Sequence, residues 1–281
     1  MFRVRIQAVL VLTLIFSVIG QAWALELRNR VDVKVSAEVR DDLDRNLQVY
    51  RYQISNSQAA AQKVWNFQLI MQTDGLVQDV VAPPGWARPS LKAKGTGHTA
   101  DLRAVARANW SAPEKARIVP GATLTGFEAT ATASLPGIVD YYAEGYARPP
   151  QLPPGKVSPG PIPGYDDVTP YGPGVVGRTI GPVSLDNPFS PVEFVDHLIS
   201  LKDEAVELDW IRNAGFIQGL DARLEAVNIA LLAQRDNIAR DTLRALLGEF
   251  EQQRGKAITP EAYGLLKYNI EYLVLQLAKA Q

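Results

Sequence analysis

The sequence predicts a two-part protein of mixed class, an immunoglobulin-like antiparallel β-sandwich followed by a four-helix bundle. Three observations predict it. Apolar and polar residues alternate over much of residues 31–146, and the apolar spacing changes to three and four after Ser190. Between the two lies "RPPQLPPGKVSPGPIPGYDDVTPYGPGVVGRTIGP", which holds ten of the chain's 19 prolines and seven of its 21 glycines. A period of two marks a pleated strand with one buried face, and steps of three and four mark an amphipathic helix.

The chain opens with Arg3 and Arg5, an apolar run from Ala8 to Ile19, and Ala22-Trp23-Ala24. This order predicts a secretory signal peptide over residues 1–24. The run is shorter than the roughly 20 residues a membrane-spanning helix needs, and no later stretch is apolar enough, so no integral membrane segment is expected in the mature chain. Without a cysteine the chain forms no disulfide, and its length supplies core enough to do without one. The formal net charge of −1 becomes −3 once Arg3 and Arg5 leave with the signal. Such a balance offers no general attraction for nucleic acid.

Residues 25–147 are assigned to the sandwich. Val31, Val33, Val35, Ala37 and Val39 share one parity; Tyr50, Tyr52 and Ile54 follow, then Trp65, Phe67, Leu69 and Met71. Pro84-Gly85, Pro120-Gly121 and Pro136-Gly137 read as type II turns, because proline presets the first central φ and glycine accepts the positive second one. They separate further strands near Val77 to Val81, Leu124 to Ala131 and Ile138 to Tyr146. About seven strands are expected.

Residues 148–189 read as a proline- and glycine-rich linker, extended through Pro163 because each proline lacks an N–H and restricts its predecessor. Val175, Val176, Ile180 and Val183 are too apolar for a fully solvated spacer, so part of it is expected to lie against a domain.

Residues 190–281 are assigned to the bundle. Ser190, Pro191 and Glu193 form a capping sequence, and Phe194, Val195, Leu198, Leu201 and Ala205 make the first stripe. Ile217, Leu220, Leu224, Val227 and Leu231 make the second, and Ala239, Leu243, Leu246 and Phe250 the third. Gly255 closes that helix, Thr259 and Pro260 open the last, and Tyr263, Leu266, Ile270, Leu273 and Leu277 make its stripe.

The C-terminal pattern, with Trp210-Ile211, Asn213, Gly215-Phe216, Leu220, Leu224, Phe250, Gln253, Gly255-Lys256 and Ile258-Thr259, resembles a helical module of secreted bacterial proteins, the FIMAH-type domain. "YRYQISNS", "APPGW" and "IVPGATLTGFEATATASLPGIVDYYAEG" resemble uncharacterised exported bacterial proteins with an immunoglobulin-like sandwich. The resemblance implies an accessory or interaction role and no particular chemistry.

Residues that carry chemistry are sparse. His98 and His197, the only histidines, fall in different units. With no cysteine, the usual zinc ligand sets are unavailable, and no metal or cofactor is expected. Asp42, Asp44 and Asn46 open a calcium-like spacing that fails at Leu47 and Gln53, so a polar turn is the better reading. Trp86, Tyr141 and Tyr142 are the candidate ligand-binding residues, as rings for stacking on a glycan, whereas Trp65 is expected in the core. Lys202, Glu204, Glu207, Arg235, Arg240, Arg244 and Glu251 alternate in sign as a solvated face does. No catalytic residue is assigned. The expected function is a non-catalytic exported protein, periplasmic or secreted, that meets an envelope or extracellular protein or a glycan; a carbohydrate-binding protein and a carboxylate-dependent hydrolase are the alternatives.

Overall fold

The computed structural model describes residues 30–42, 47–71, 76–87, 106–132, 134–146, 168–169, 172–184 and 189–279. His98 and the proline-rich run before residue 168 lie outside them, as does the N-terminal segment.

Two four-stranded antiparallel sheets come first. One has the order β1-β2-β6-β4, from β1 (Val33–Asp42), β2 (Leu47–Asn56), β6 (Thr123–Ala131) and β4 (Val77–Val81). The other has the order β10-β7-β3-β5, from β10 (Val175–Ser184), β7 (Ser134–Gly145), β3 (Val64–Met71) and β5 (Ala106–Ser111). The two-residue strands β8 (Val168–Thr169) and β9 (Gly172–Pro173) pair with each other. The alternation in β1 and β2 is obeyed: Val35, Ala37, Val39, Tyr50, Tyr52 and Ile54 are all buried. Rings from both sheets fill the space between them. Phe67 stacks on Trp110 with centroids 5.3 Å apart, and Phe127 meets Phe67 edge-on at 5.6 Å and Trp86 at 4.9 Å. Each such pair adds about 1 kcal/mol beyond the area it buries.

Three expectations need correction. Trp65 is only half-buried, because the register slips between Val64 and Asn66 and the bulge lifts its ring out of the inward row. Pro136-Gly137 is no turn but part of β7, facing Pro182 and Gly181 of β10, whereas Gly85 and Gly121 do take the positive φ of a turn, +85° and +79°. Val175 to Ser184, assigned to the linker, is an edge strand that pairs with β7 along its whole length and buries Ile180 completely.

Helices α1 (Pro191–Glu207), α2 (Ala214–Leu232), α3 (Asp236–Gln253) and α4 (Pro260–Lys279) form a ring in which each packs on the next and α4 returns to α1. Ser190 and Asn213 accept from the backbone N–H three residues on, and Gly255 takes φ +71°, so the helix limits follow from local capping. Lys202, expected on the solvated face, is buried between α1 and α2, where it meets Asp203 and Asp221. Burial lowers the pKa of its ammonium, but the two carboxylates together outweigh this and hold it above the ordinary lysine value.

The two units do not hang on a tether. α4 lies along the open edge of β1 and also touches β7 and β10. In an antiparallel pair every second residue turns its N–H and C=O away from the partner strand. On β1 these are the odd-numbered residues. The Ala37 N–H donates to the Glu261 carboxylate at 2.8 Å, and the Val39 and Val33 carbonyls accept from Tyr268 Oη at 3.3 Å and Tyr141 Oη at 3.0 Å. Asn269 donates to the Pro136 carbonyl at 2.8 Å. Gly264 lets the helix settle this close: a Cβ there would stand 3.2 Å from Val39 Cγ2. At the surface Arg254 pairs with Glu38 at 2.8 Å and Arg178 with Glu204 at 3.0 Å. One apolar interior therefore runs from the sandwich into the bundle.

A shared interior predicts one cooperative unfolding transition: in a Trp210→Phe variant, whose other described tryptophans Trp65, Trp86 and Trp110 all lie in the sandwich, fluorescence and the far-ultraviolet circular dichroism of the helices should superimpose along a urea titration. Two separated transitions would contradict it. Glu261→Ala strands a buried N–H and should cost about 1–3 kcal/mol, while Glu261→Gln, which keeps an acceptor, should cost less.

Candidate functional site

A groove of about 540 Å³ opens on the outer face of the first sheet. Ser36, Glu38 and Arg40 of β1, Arg51 and Gln53 of β2, and Thr125 and Glu128 of β6 line it, with Pro260 of α4 at its rim. Local structure makes it concave. The β2–β6 register slips between Tyr52 and Ile54, opposite Gly126, whose φ of +97° only glycine adopts without strain, so the sheet bends beneath the groove.

Its charges are matched within the groove. Arg51 pairs with Glu128 at 2.9 Å, and Glu38 accepts from both Arg40 at 2.9 Å and Arg254 of the bundle at 2.8 Å. Glu38 thus belongs to both units. These side chains are between 26% and 56% exposed, so each pair contributes at most about 1 kcal/mol and can exchange partners at little cost. Just behind the rim burial pushes the Tyr268 hydroxyl up to about 12, helped by Asp41 and Glu271, so its bond to β1 persists through neutral and mildly alkaline pH. Glu38 and Arg254 carried no signal in the sequence, because their pairing spans the two units.

The glycan candidates are not at a surface. Trp86 is 6% exposed and its indole N–H donates to the Ala116 carbonyl; Tyr141 is 7% exposed and its hydroxyl is bound to β1. Tyr142 is 1% exposed, with its hydroxyl on Glu144. The rings of Tyr141 and Tyr142 face opposite sides of β7, and both are covered: the sandwich core covers Tyr141, and Gly174 packs against Tyr142 on the other side. His197 is exposed beside Phe194. Of the calcium-like spacing, Asp42 ends β1 and Leu47 to Gln53 belong to β2, while Asp44 and Asn46 lie outside the described residues. Among the described residues no group of three His, Asp or Glu side chains is arranged to hold a metal, and no helix is long and apolar enough to cross a membrane.

Among the described residues one carboxyl is chemically perturbed. Burial on the outer side of β7 raises Glu144, while hydrogen bonds from Tyr142 and Trp65 counter this only in part. A carboxyl raised in the folded state favours folding below its unfolded value of 4.5 and loses that contribution as pH climbs through the higher folded value. Glu144→Gln keeps an acceptor without the charge. It should raise the melting temperature at pH 7 and leave it nearly unchanged at pH 4, measured by thermal denaturation.

Against known proteins, no family model matches the chain and no curated protein matches it.

Proposed function

We propose that the protein is an exported, non-catalytic interaction protein that works in the cell envelope or the surrounding medium and grips a polar protein partner through the groove at the sandwich–bundle junction. The observation that carries this reading is Glu38 in the groove's lining, which pairs both with Arg40 of the sheet and with Arg254 of the bundle. A partner seated there contacts one rigid body made of both units. The N-terminal Arg3, Arg5, apolar run and Ala22-Trp23-Ala24 support export.

The strand orders support the immunoglobulin-like reading. Without β5, the seven strands β1, β2, β3, β4, β6, β7 and β10 fall into the constant-type arrangement, four in one sheet and three in the other, and β5 is an addition beside β3. The helix limits at Asn213, Gly255 and Thr259 coincide with marks of the FIMAH-type resemblance, which supports an accessory role.

The test is recovery of a partner from envelope and culture fractions by the tagged protein, with Arg51→Glu in parallel. Arg51→Glu reverses one groove charge at an exposed position and should lower recovery of the same partner by about tenfold or more. Equal recovery by both, or turnover of a substrate with no partner recovered, would overturn the reading.

A further inference from the structure

The outer face of the first sheet is laid out in rows that cross its strands. In one row Glu38 of β1, Arg51 of β2 and Glu128 of β6 stand abreast, so charge alternates acid, base, acid. The next row is neutral. Ser36 faces Gln53, and Gln53 sits at the bulge opposite Thr125 and Gly126. All four line the groove, Ser36 half-buried and the others exposed. None of the three side chains forms a hydrogen bond with another described residue. One row further along, Ser55 and Thr123 bond to each other at 2.8 Å. The groove floor therefore keeps two hydroxyls and an amide unused, each able both to donate and to accept.

The spacing and the rest of the lining select the occupant. Adjacent strands lie about 4.8 Å apart, so the neutral row spans about 10 Å, the length of three extended residues. A peptide main chain brings a donor and an acceptor with each residue, which suits a floor of groups that do both. Gly126 puts no side chain in its way. The one aromatic residue of the lining, Tyr52, is turned into the core and 2% exposed, so a sugar finds no ring on which to stack. Glu38 and Glu128 oppose a phosphate backbone. Acidic and basic side chains of a peptide, by contrast, can exchange with the exposed pairs of the charged row.

We propose that the groove takes an extended linear segment of its partner, laid across β1, β2 and β6, with its main chain on Ser36, Gln53 and Thr125 and its charged side chains facing Glu38, Arg51 and Glu128. The inference rests on the groove being the partner site. In this mode main-chain hydrogen bonds supply affinity and side-chain contacts supply selectivity.

Random linear peptides displayed on phage and panned against the full exported chain should yield binders that carry both acidic and basic residues. With a synthetic copy of such a binder, Gln53→Ala should weaken affinity about tenfold and Thr125→Val about threefold, without a change in melting temperature, since both positions are exposed. Ser55→Ala, one row outside the groove, should leave affinity unchanged. A copy N-methylated along its centre keeps every side chain but loses main-chain donors, and should bind at least about tenfold more weakly. Binding that is lost with Arg51→Glu, yet indifferent to Gln53→Ala and to N-methylation, would overturn the main-chain inference and leave the groove as the partner site. A partner recovered through the groove while no linear peptide is enriched would do the same. Peptides indifferent to Arg51→Glu as well, or a neutral glycan held in the groove in their place, would overturn both readings.

Discussion

The architecture hangs on how the open edge of β1 is closed. An edge strand presents unpaired N–H and C=O groups that invite another chain, and proteins cover such edges with charge, bulges or a helix. Here α4 does it with side chains aimed at individual backbone groups. Glu261 receives the Ala37 N–H, Tyr268 donates to the Val39 carbonyl, and Tyr141 of the facing sheet donates to Val33. The buried Glu261 carboxylate lies in the first turn of α4, where the helix dipole favours negative charge. An edge capped this way cannot be released without exposing both a carboxylate and a strand, which is why the two units behave as one body.

From that constraint the rest of the surface follows. Fixing α4 along β1 brings Pro260 to the rim of the sheet and Arg254 onto Glu38, and so creates a composite groove that neither unit has alone. It also sets the bundle's orientation. Because α4 faces the sandwich, the far side of the four-helix ring, where α2 lies, is the side presented outward. One helix is turned inward and its diagonal opposite is left bare.

The polar groups that cross the junction are local in space and distant in sequence. Asn269 reaches Pro136, and Glu261 reaches Ala37, across more than a hundred residues each. The proline at that point of β7 takes part in the same logic: its carbonyl faces the helix, and Asn269 supplies the donor. In the aligned ladder of β7 and β10, glycines 137 and 181 pair beside prolines 136 and 182, and the side chains of Val183 and Val139 fill the space a Cβ would need there.

What the sequence determined by itself was everything set by neighbours along the chain. Val31 to Val39 and Tyr50 to Ile54 alternate because a strand has a period of two. The helical stripes and their caps at Ser190 and Thr259 depend only on residues within one or two turns, and they form as the spacing predicts. The tertiary structure decided what depends on partners far away. Trp65 left the core because a bulge opposite β7 broke its parity, Trp86 and Tyr142 were buried by segments with which they share no periodicity, and Val175 to Ser184 became a strand because β7 offered it a complete ladder. The groove and the sealed edge of β1 arise in the same way, since backbone groups left over by a sheet find donors and acceptors wherever folding brings them, and no pattern along the chain records that meeting.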